Sequence, residues 1–122
     1  MGAVSILIAD DDDLILKLLT LGFEKFGIKV FTTYNGSDAW DLFKSEQIDL
    51  VLTDIRMPGF NGKELSRMIR NESPNTKIAL MSGDESDGIA ELLNNGTADY
   101  FFLKPFDITY ICKIMLAEVP IS

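Results

Sequence analysis

The sequence predicts an α/β protein built as a (βα)5 doubly wound sheet of five parallel strands. Short apolar runs alternate five times with longer stretches in which apolar residues recur every three or four positions. Apart from the second run, these runs are apolar at most positions, which is typical of strands covered by helices on both faces. Because crossovers between parallel strands are right-handed, five such units wind around both faces of one sheet.

Each predicted strand is short and precedes one helical pattern. The strands are expected at Val4 to Ala9, Lys29 to Thr33, Leu50 to Thr53, Ile78 to Met81 and Tyr100 to Leu103. The flavodoxin-like strand order 2-1-3-4-5 accommodates five strands of this kind. We expect residues 1–122 to form one domain, since this length buries a core without disulfides or metals.

Three predicted helices have recognisable starts or apolar stripes. The core stripe of the first is expected at Ile15, Leu18, Leu19, Gly22, Phe23 and Phe26. Asp12 and Asp13 are interpreted as its N-cap and a first-turn acid favoured by the helix dipole. Ser37 is expected to cap the second helix and Asp107 the last one. The apolar stripe of the last helix is expected at Ile108, Ile111, Cys112 and Met115.

Charge and composition exclude several classes of function. A net charge of −8 and a pI near 4.4 argue against direct binding of nucleic acid. The absence of histidine removes the commonest general base and most kinds of zinc site. Cys112 has no partner cysteine for a disulfide, and its apolar setting indicates a buried structural thiol. Because the sequence shows neither an apolar run long enough to cross a bilayer nor an N-terminal leader, we expect a cytoplasmic protein without membrane contact.

The chemistry is expected at the carboxyl ends of the strands, where open parallel sheets carry their sites. The first run ends in Asp10 and Asp11, the third in Asp54, the fourth in Ser82 and the fifth in Lys104. Carboxylates brought this close repel each other unless a cation shares the site, and Mg²⁺ prefers oxygen ligands. With a metal shielding its charge, Asp54 could attack a phosphoryl group, while Lys104 and Ser82 stabilise the added charge.

Four motifs in this order resemble the receiver domains of bacterial two-component response regulators, the CheY-like family. They occupy residues 6–11, Asp54 to Gly59, Ser82-Gly83 and Lys104-Pro105-Phe106. The resemblance implies that a histidine kinase or histidine phosphotransfer protein donates a phosphoryl group to Asp54. It implies Mg²⁺, or Mn²⁺, bound by Asp10, Asp11, Asp54 and the backbone carbonyl of Arg56. Ser82 and Lys104 would contact the phosphoryl group, and the Lys104-Pro105 bond would be cis.

The resemblance also implies a conformational switch. Its aromatic residue is expected three positions before Lys104, at Phe101, with Tyr100 as the alternative if the register shifts by one residue. Phosphorylation of Asp54 would draw Ser82 inward and let Phe101 follow. We expect this movement to change the surface formed by the fourth and fifth helices and the last strand, through which an output domain or a second copy would bind.

Further residues are predicted to set the lifetime of the signal and the choice of partner. Arg56 and Asp84 lie two positions beyond Asp54 and Ser82, and we expect them to pair across the entrance and restrict water. Exposed ion pairs are weak, so a purely structural pair is the alternative. An apolar edge of the first helix is expected at Leu14, Leu18 and Leu21, where a kinase or phosphotransfer helix could dock. The alternative is that these leucines only extend the apolar core face of the helix. A similar edge of the last helix comprises Tyr110, Ile114 and Ala117.

Three alternative functions share parts of this pattern. A flavodoxin-type FMN carrier would need a phosphate-binding loop after the first strand, where four aspartates would repel the phosphate. A hydrolase of the haloacid dehalogenase type would need an aspartate in place of Arg56. A degenerate receiver that binds proteins without taking phosphate stays open as the alternative. The sequence also leaves open whether the chain is a single-domain regulator or part of a larger protein.

Overall fold

The computed structural model describes residues 4–84, 88–117 and 119, and within them five strands alternate with five helices. The strands are β1 (Ser5–Ala9), β2 (Lys29–Thr33), β3 (Leu50–Asp54), β4 (Lys77–Ser82) and β5 (Tyr100–Leu103). The helices are α1 (Asp13–Glu24), α2 (Gly36–Ser45), α3 (Gly62–Glu72), α4 (Ile89–Asn94) and α5 (Ile108–Leu116). All five predicted strands are confirmed, with ends displaced by no more than one residue.

The five strands pair in parallel in the order β2-β1-β3-β4-β5, which confirms the predicted doubly wound sheet. The register places Asp54 opposite Met81, so Ser82 follows directly beside the end of β3. Because the strands are parallel, their carboxyl ends meet at one edge of the sheet. This edge collects the polar residues that follow each strand.

The core consists of two apolar clusters, one on each face of the sheet. On one face the buried helix residues come from α1 and α5, namely Leu16, Leu19, Phe23, Ile111, Cys112 and Met115. On the other face they come from α2, α3 and α4, namely Ala39, Leu65, Ile69, Ile89 and Leu92. Cys112 is buried as predicted, and burial raises the pKa of its thiol. Among the described helices, none has both the length and the apolar character needed to cross a bilayer.

The core stripe predicted for α1 is partly wrong. The buried stripe consists of Leu16, Leu19 and Phe23, which are spaced by three and four residues. Leu18 is exposed because it lies about 100° around the helix from the buried Leu19. Phe26 is exposed because α1 ends at Glu24, so Phe26 lies beyond the last helical residue.

The helix caps combine two confirmed predictions with one correction. Asp12 caps α1 and Asp107 caps α5, each by accepting backbone N–H groups of the first turn. Ser37 does not cap α2, because the helix already begins before it. The cap is Asn35, whose side-chain oxygen accepts the backbone N–H of Asp38 at 2.8 Å.

Candidate functional site

Three carboxylates meet at the carboxyl edge of the sheet. Asp10 follows β1 and is fully buried, Asp11 is exposed, and Asp54 ends β3 with 7% of its surface exposed. One carboxylate oxygen from each residue lies within 4.8 Å of the other two. The structure therefore brings together the three acids that the sequence predicts, and their oxygen atoms are the donors that Mg²⁺ prefers.

Lys104 lies between the two buried carboxylates. Its Nζ donates to Asp10 Oδ2 at 3.0 Å and to Asp54 Oδ2 at 3.2 Å. Its backbone N–H donates to the carbonyl of Ser82 at 2.8 Å, which fixes the end of β5 against β4. The Lys104-Pro105 bond is cis, as predicted. The ammonium group thus compensates the negative charge of both buried acids.

The electrostatics of the site follow from burial and the close spacing of these charges. Burial and the negative charge of Asp10 raise the pKa of Asp54, while the charge and hydrogen bond of Lys104 partly oppose that rise. Burial by itself would lower the pKa of Lys104, but the hydrogen bond to Asp10 and the charges of both acids raise it overall. Lys104 therefore keeps its proton. Any further positive charge nearby would stabilise the ionised form of Asp54.

The backbone around Asp10 holds its carboxylate in place. The N–H of Asp10 donates to the carbonyl of Thr33 at 3.1 Å, which extends the pairing of β1 with β2. The N–H of Asp12 donates to Asp10 Oδ1 at 2.9 Å, because the chain turns there into α1. One carboxylate oxygen thus accepts from the backbone, and the other accepts from Lys104.

Ser82, Asp84 and Arg56 line the other side of the site. Ser82 is buried, and its Oγ accepts the N–H of Asp84 at 3.1 Å. The side chain of Asp84 forms an ion pair with Arg56, with Nη2 and Oδ2 separated by 3.6 Å. Both partners of this pair are largely exposed. The predicted pairing of Arg56 with Asp84 is therefore present.

The two candidate switch aromatics lie on opposite faces of β5. Phe101 packs against the cluster formed by α2, α3 and α4. Tyr100 packs against the cluster of α1 and α5, and its ring stacks on that of Phe102 with centroids 6.4 Å apart. Of these two candidates, Phe101 is the one on the face that carries α4, as the strand alternation requires.

The predicted docking residues on α1 lie at the surface. Leu14, Leu18 and Leu21 have 63%, 44% and 60% of their surfaces exposed, so they do not belong to the buried core. A groove of about 340 Å³ between α1 and the start of α5 reaches Lys104. It is lined by Ile15, Leu18, Lys104, Pro105, Phe106 and Ile108. Of the second predicted edge, Tyr110 and Ala117 are exposed, whereas Ile114 is half-buried and packs against the core cluster of α1 and α5.

Two backbone contacts beside Asp54 were not predicted from the sequence. The N–H of Gly36 donates to the carbonyl of Pro58 at 3.0 Å, and the N–H of Gly62 donates to that of Ile55 at 2.8 Å. Each glycine is the first residue of a helix, a position where glycine is not specifically favoured. A glycine at the first position of a helix is therefore the sequence feature that could have indicated a close contact with the loop backbone.

Comparisons with known proteins agree on one family. A sequence profile described as the response regulator receiver domain matches residues 6–116. Sporulation initiation phosphotransferase F of Bacillus subtilis is 35% identical over 118 residues, covering 96% of this chain and 94% of that protein. The DNA-binding transcriptional regulator NtrC of Azospirillum brasilense is 34% identical over 115 residues. That match covers 94% of this chain and spans only 24% of the length of NtrC.

Solved structures agree with the sequence comparison. The chain superimposes on the response regulator receiver domain protein (CheY-like) from Methanospirillum hungatei with a TM-score of 0.89. The identity is 25%, and the superposition covers 96% of this chain and 94% of that one. The five strands and five helices thus follow the arrangement of that protein over nearly the whole chain.

Proposed function

This chain belongs to the response regulator receiver domain family of two-component systems, and we propose that Asp54 is its phosphoacceptor. The observation that carries the proposal is the setting of the Asp54 carboxylate. It ends β3, lies within 4.8 Å of the carboxylates of Asp10 and Asp11, and accepts a hydrogen bond from Lys104 at 3.2 Å. These are the groups that a carboxylate nucleophile for phosphoryl transfer requires.

A divalent cation fits the donor set. Mg²⁺, or Mn²⁺ in its place, would be held by Asp10, Asp11, Asp54 and the backbone carbonyl of Arg56. When bound, such an ion supplies positive charge that offsets the repulsion between the acids and an incoming phosphoryl group. Lys104 supplies a second positive charge from the side of Asp10, and its raised pKa keeps that charge in place.

In the proposed reaction Asp54 attacks the phosphorus atom of a phosphohistidine. The new bond joins a carboxylate oxygen to phosphorus as the phosphorus–nitrogen bond to the donor breaks, which leaves an acyl phosphate. Lys104 donates a hydrogen bond to the phosphoryl group. Ser82 Oγ accepts from the backbone of Asp84, so its own hydroxyl proton is available for a phosphoryl oxygen. The chain then acts as a regulatory phosphoacceptor, with transfer and later hydrolysis catalysed by its own residues.

The proposed signal is a change in the surface formed by α4, β5 and α5. Ser82 would move toward the phosphoryl group and leave space on the face of the sheet that carries α4. Phe101 packs on that face, so it can move into the space, whereas Tyr100 packs on the other face. Phosphorylation would then favour one of two arrangements of this surface.

The proposed partners follow from the surfaces beside the site. A histidine kinase or histidine phosphotransfer protein would dock on α1 at Leu14, Leu18 and Leu21, next to the groove that reaches Lys104. The α4-β5-α5 surface would bind an output domain or a second copy of the chain. The excess of acidic residues argues against nucleic acid as a direct ligand, and we propose a cytoplasmic location.

The lifetime of the acyl phosphate would depend on Arg56 and Asp84. Their ion pair lies at the edge of the site, and Asp84 is also joined to Ser82 through its backbone N–H. We propose that this pair limits the approach of water to phosphorylated Asp54. Its strength is modest, since exposed ion pairs contribute under about 1 kcal/mol.

Fluorine NMR with beryllofluoride, an analogue of the phosphoryl group, tests the proposal against the degenerate receiver. Wild-type protein is expected to bind the analogue only with Mg²⁺, and Asp54→Asn is expected to lose binding. Asp12→Asn is the matched control, because it removes a nearby acid while asparagine keeps the helix cap. Absence of bound fluoride in the wild type would favour a protein-binding module that takes no phosphate.

A further inference from the structure

The loop that follows Asp54 contacts the first residue of α2 through a backbone hydrogen bond. The N–H of Gly36 donates to the carbonyl of Pro58 at 3.0 Å. A Cβ atom on Gly36 would overlap the carbonyl oxygen of Phe60 and lie 2.6 Å from its carbonyl carbon. No side chain fits between these atoms, so the loop reaches its position only because residue 36 is glycine.

A second glycine holds the other end of the same loop. Gly62 begins α3, and its N–H donates to the carbonyl of Ile55 at 2.8 Å. A Cβ on Gly62 would overlap the carbonyl oxygen of Asp54 and lie 2.9 Å from Ile55 Cα. The backbone of the proposed phosphoacceptor is therefore in direct contact with the start of α3.

Close approach, and not backbone conformation, is the reason for glycine at these two positions. Neither Gly36 nor Gly62 is among the glycines with positive φ. Both are the first residue of a helix, a position where glycine is not specifically favoured. The absence of a Cβ thus serves the contact with the loop.

We propose that Gly36 and Gly62 are positioning residues of the metal and phosphoryl site. The segment between their two contacts begins at Asp54 and carries the backbone carbonyl of Arg56, so this inference rests on the function proposed above. A Cβ at either glycine must push this segment away from the helix starts. The Arg56 carbonyl and the Asp54 carboxylate would then no longer meet one cation together.

Alanine substitution tests this with a control glycine that is crowded by side chains and remote from the site. Gly36→Ala is compared with Gly22→Ala in α1, where a Cβ would lie 2.7 Å from Ile108 Cγ2 and 3.1 Å from Cys112 Sγ. Gly22 faces α5, two turns or more away from the residues of the site. Urea unfolding gives the stability of each variant, and the electron paramagnetic resonance signal of free Mn²⁺ gives its metal affinity under conditions where both are folded.

The expected result separates positioning from general stability. Residues that orient metal ligands typically change metal affinity by about tenfold or more, so Gly36→Ala should bind Mn²⁺ about tenfold more weakly. Gly22→Ala should lose stability and keep the wild-type affinity. Wild-type affinity in folded Gly36→Ala would overturn the inference, as would an equal loss of affinity in both variants.

Two further measurements keep the outcome decisive. If Gly36→Ala does not fold, Gly59→Ala perturbs the same contact from the loop side, because its Cβ would lie 2.9 Å from Ser37 Oγ and 3.3 Å from Ser37 N, and its φ is +77°. Weaker Mn²⁺ binding in Gly59→Ala supports the inference, and unchanged binding overturns it. If the wild type itself binds no Mn²⁺, the proposed function fails. If the wild type and the variants all bind Mn²⁺ with the same affinity, only the inference about the glycines fails.

Discussion

Arg70 is expected to be the strongest single polar contributor to stability away from the site. Its guanidinium donates to four acceptors, which are Gly96 O at 2.9 Å, Pro74 O at 2.8 Å, Thr76 O at 2.7 Å and Asp99 Oδ2 at 2.7 Å. Asp99 Oδ2 also accepts the N–H of Ile78 at 2.9 Å. One side chain thus joins the end of α3 to the start of β4 and to the turn between α4 and β5.

The size of the contribution can be worked out from these contacts. Arg70→Met removes all four hydrogen bonds and keeps the apolar stem. A hydrogen bond to a charged group contributes about 1.5–3 kcal/mol, and bonds from one group do not add fully. Arg70 and Asp99 keep 21% and 27% of their side chains exposed, so water replaces part of what is lost. We expect the free energy of unfolding to fall by about 2–4 kcal/mol in total.

Urea unfolding of matched variants measures this loss. Arg67 lies on the same helix and is exposed, so Arg67→Met should change stability by about 0.5 kcal/mol or less. Asp99→Asn and the double variant with Arg70→Met give the coupling between the two residues. A loss in Arg70→Met no larger than that in Arg67→Met would refute the assignment, and so would complete additivity with Asp99→Asn.

Three other predictions concern single groups. Burial raises the pKa of Cys112 and lowers its thiolate fraction, so the native protein should react with a thiol reagent at mildly alkaline pH far more slowly than the urea-unfolded chain; equal rates would contradict this. Asn61→Ala removes the capping box with Glu64 and should lower the free energy of unfolding by about 1 kcal/mol, whereas unchanged stability would mean that the cap contributes nothing. Arg56→Ala should shorten the lifetime of the phosphorylated protein at low salt and less so at high salt, because the pair with Asp84 is exposed; identical lifetimes would remove that role.

Much of the fold could be predicted from local pattern. Four of the five strands are runs that are apolar at most positions, and this pattern marks their position to within a residue, whereas the edge strand β2 has only two apolar residues. The helix faces were predicted less well, because a stripe depends on where the helix ends. In α1 the three- and four-residue spacing of apolar residues continues to Phe26, although the helix ends at Glu24. At α2 the asparagine before the glycine, and not Ser37, was the cap.

The site was predictable to the extent that topology determines it. Residues that follow parallel strands meet at one edge, so Asp10, Asp54 and Lys104 could be placed together before any distance was known. The contacts that depend on tertiary packing could not. The hydrogen bond from Arg70 to Asp99 joins residues far apart in sequence, and the contact of Gly36 with Phe60 depends on how two loops pack. Neither leaves a periodic pattern in the chain.

The central claim is that Asp54 accepts a phosphoryl group, and the intact mass of the protein tests it most directly. Wild type, Asp54→Asn and Asp12→Asn are incubated with acetyl phosphate, each with and without Mg²⁺. The account predicts one phosphoryl adduct on the wild type and on Asp12→Asn, only with Mg²⁺, and none on Asp54→Asn. An adduct of the same extent on Asp54→Asn, or none on the wild type under any condition, would contradict it.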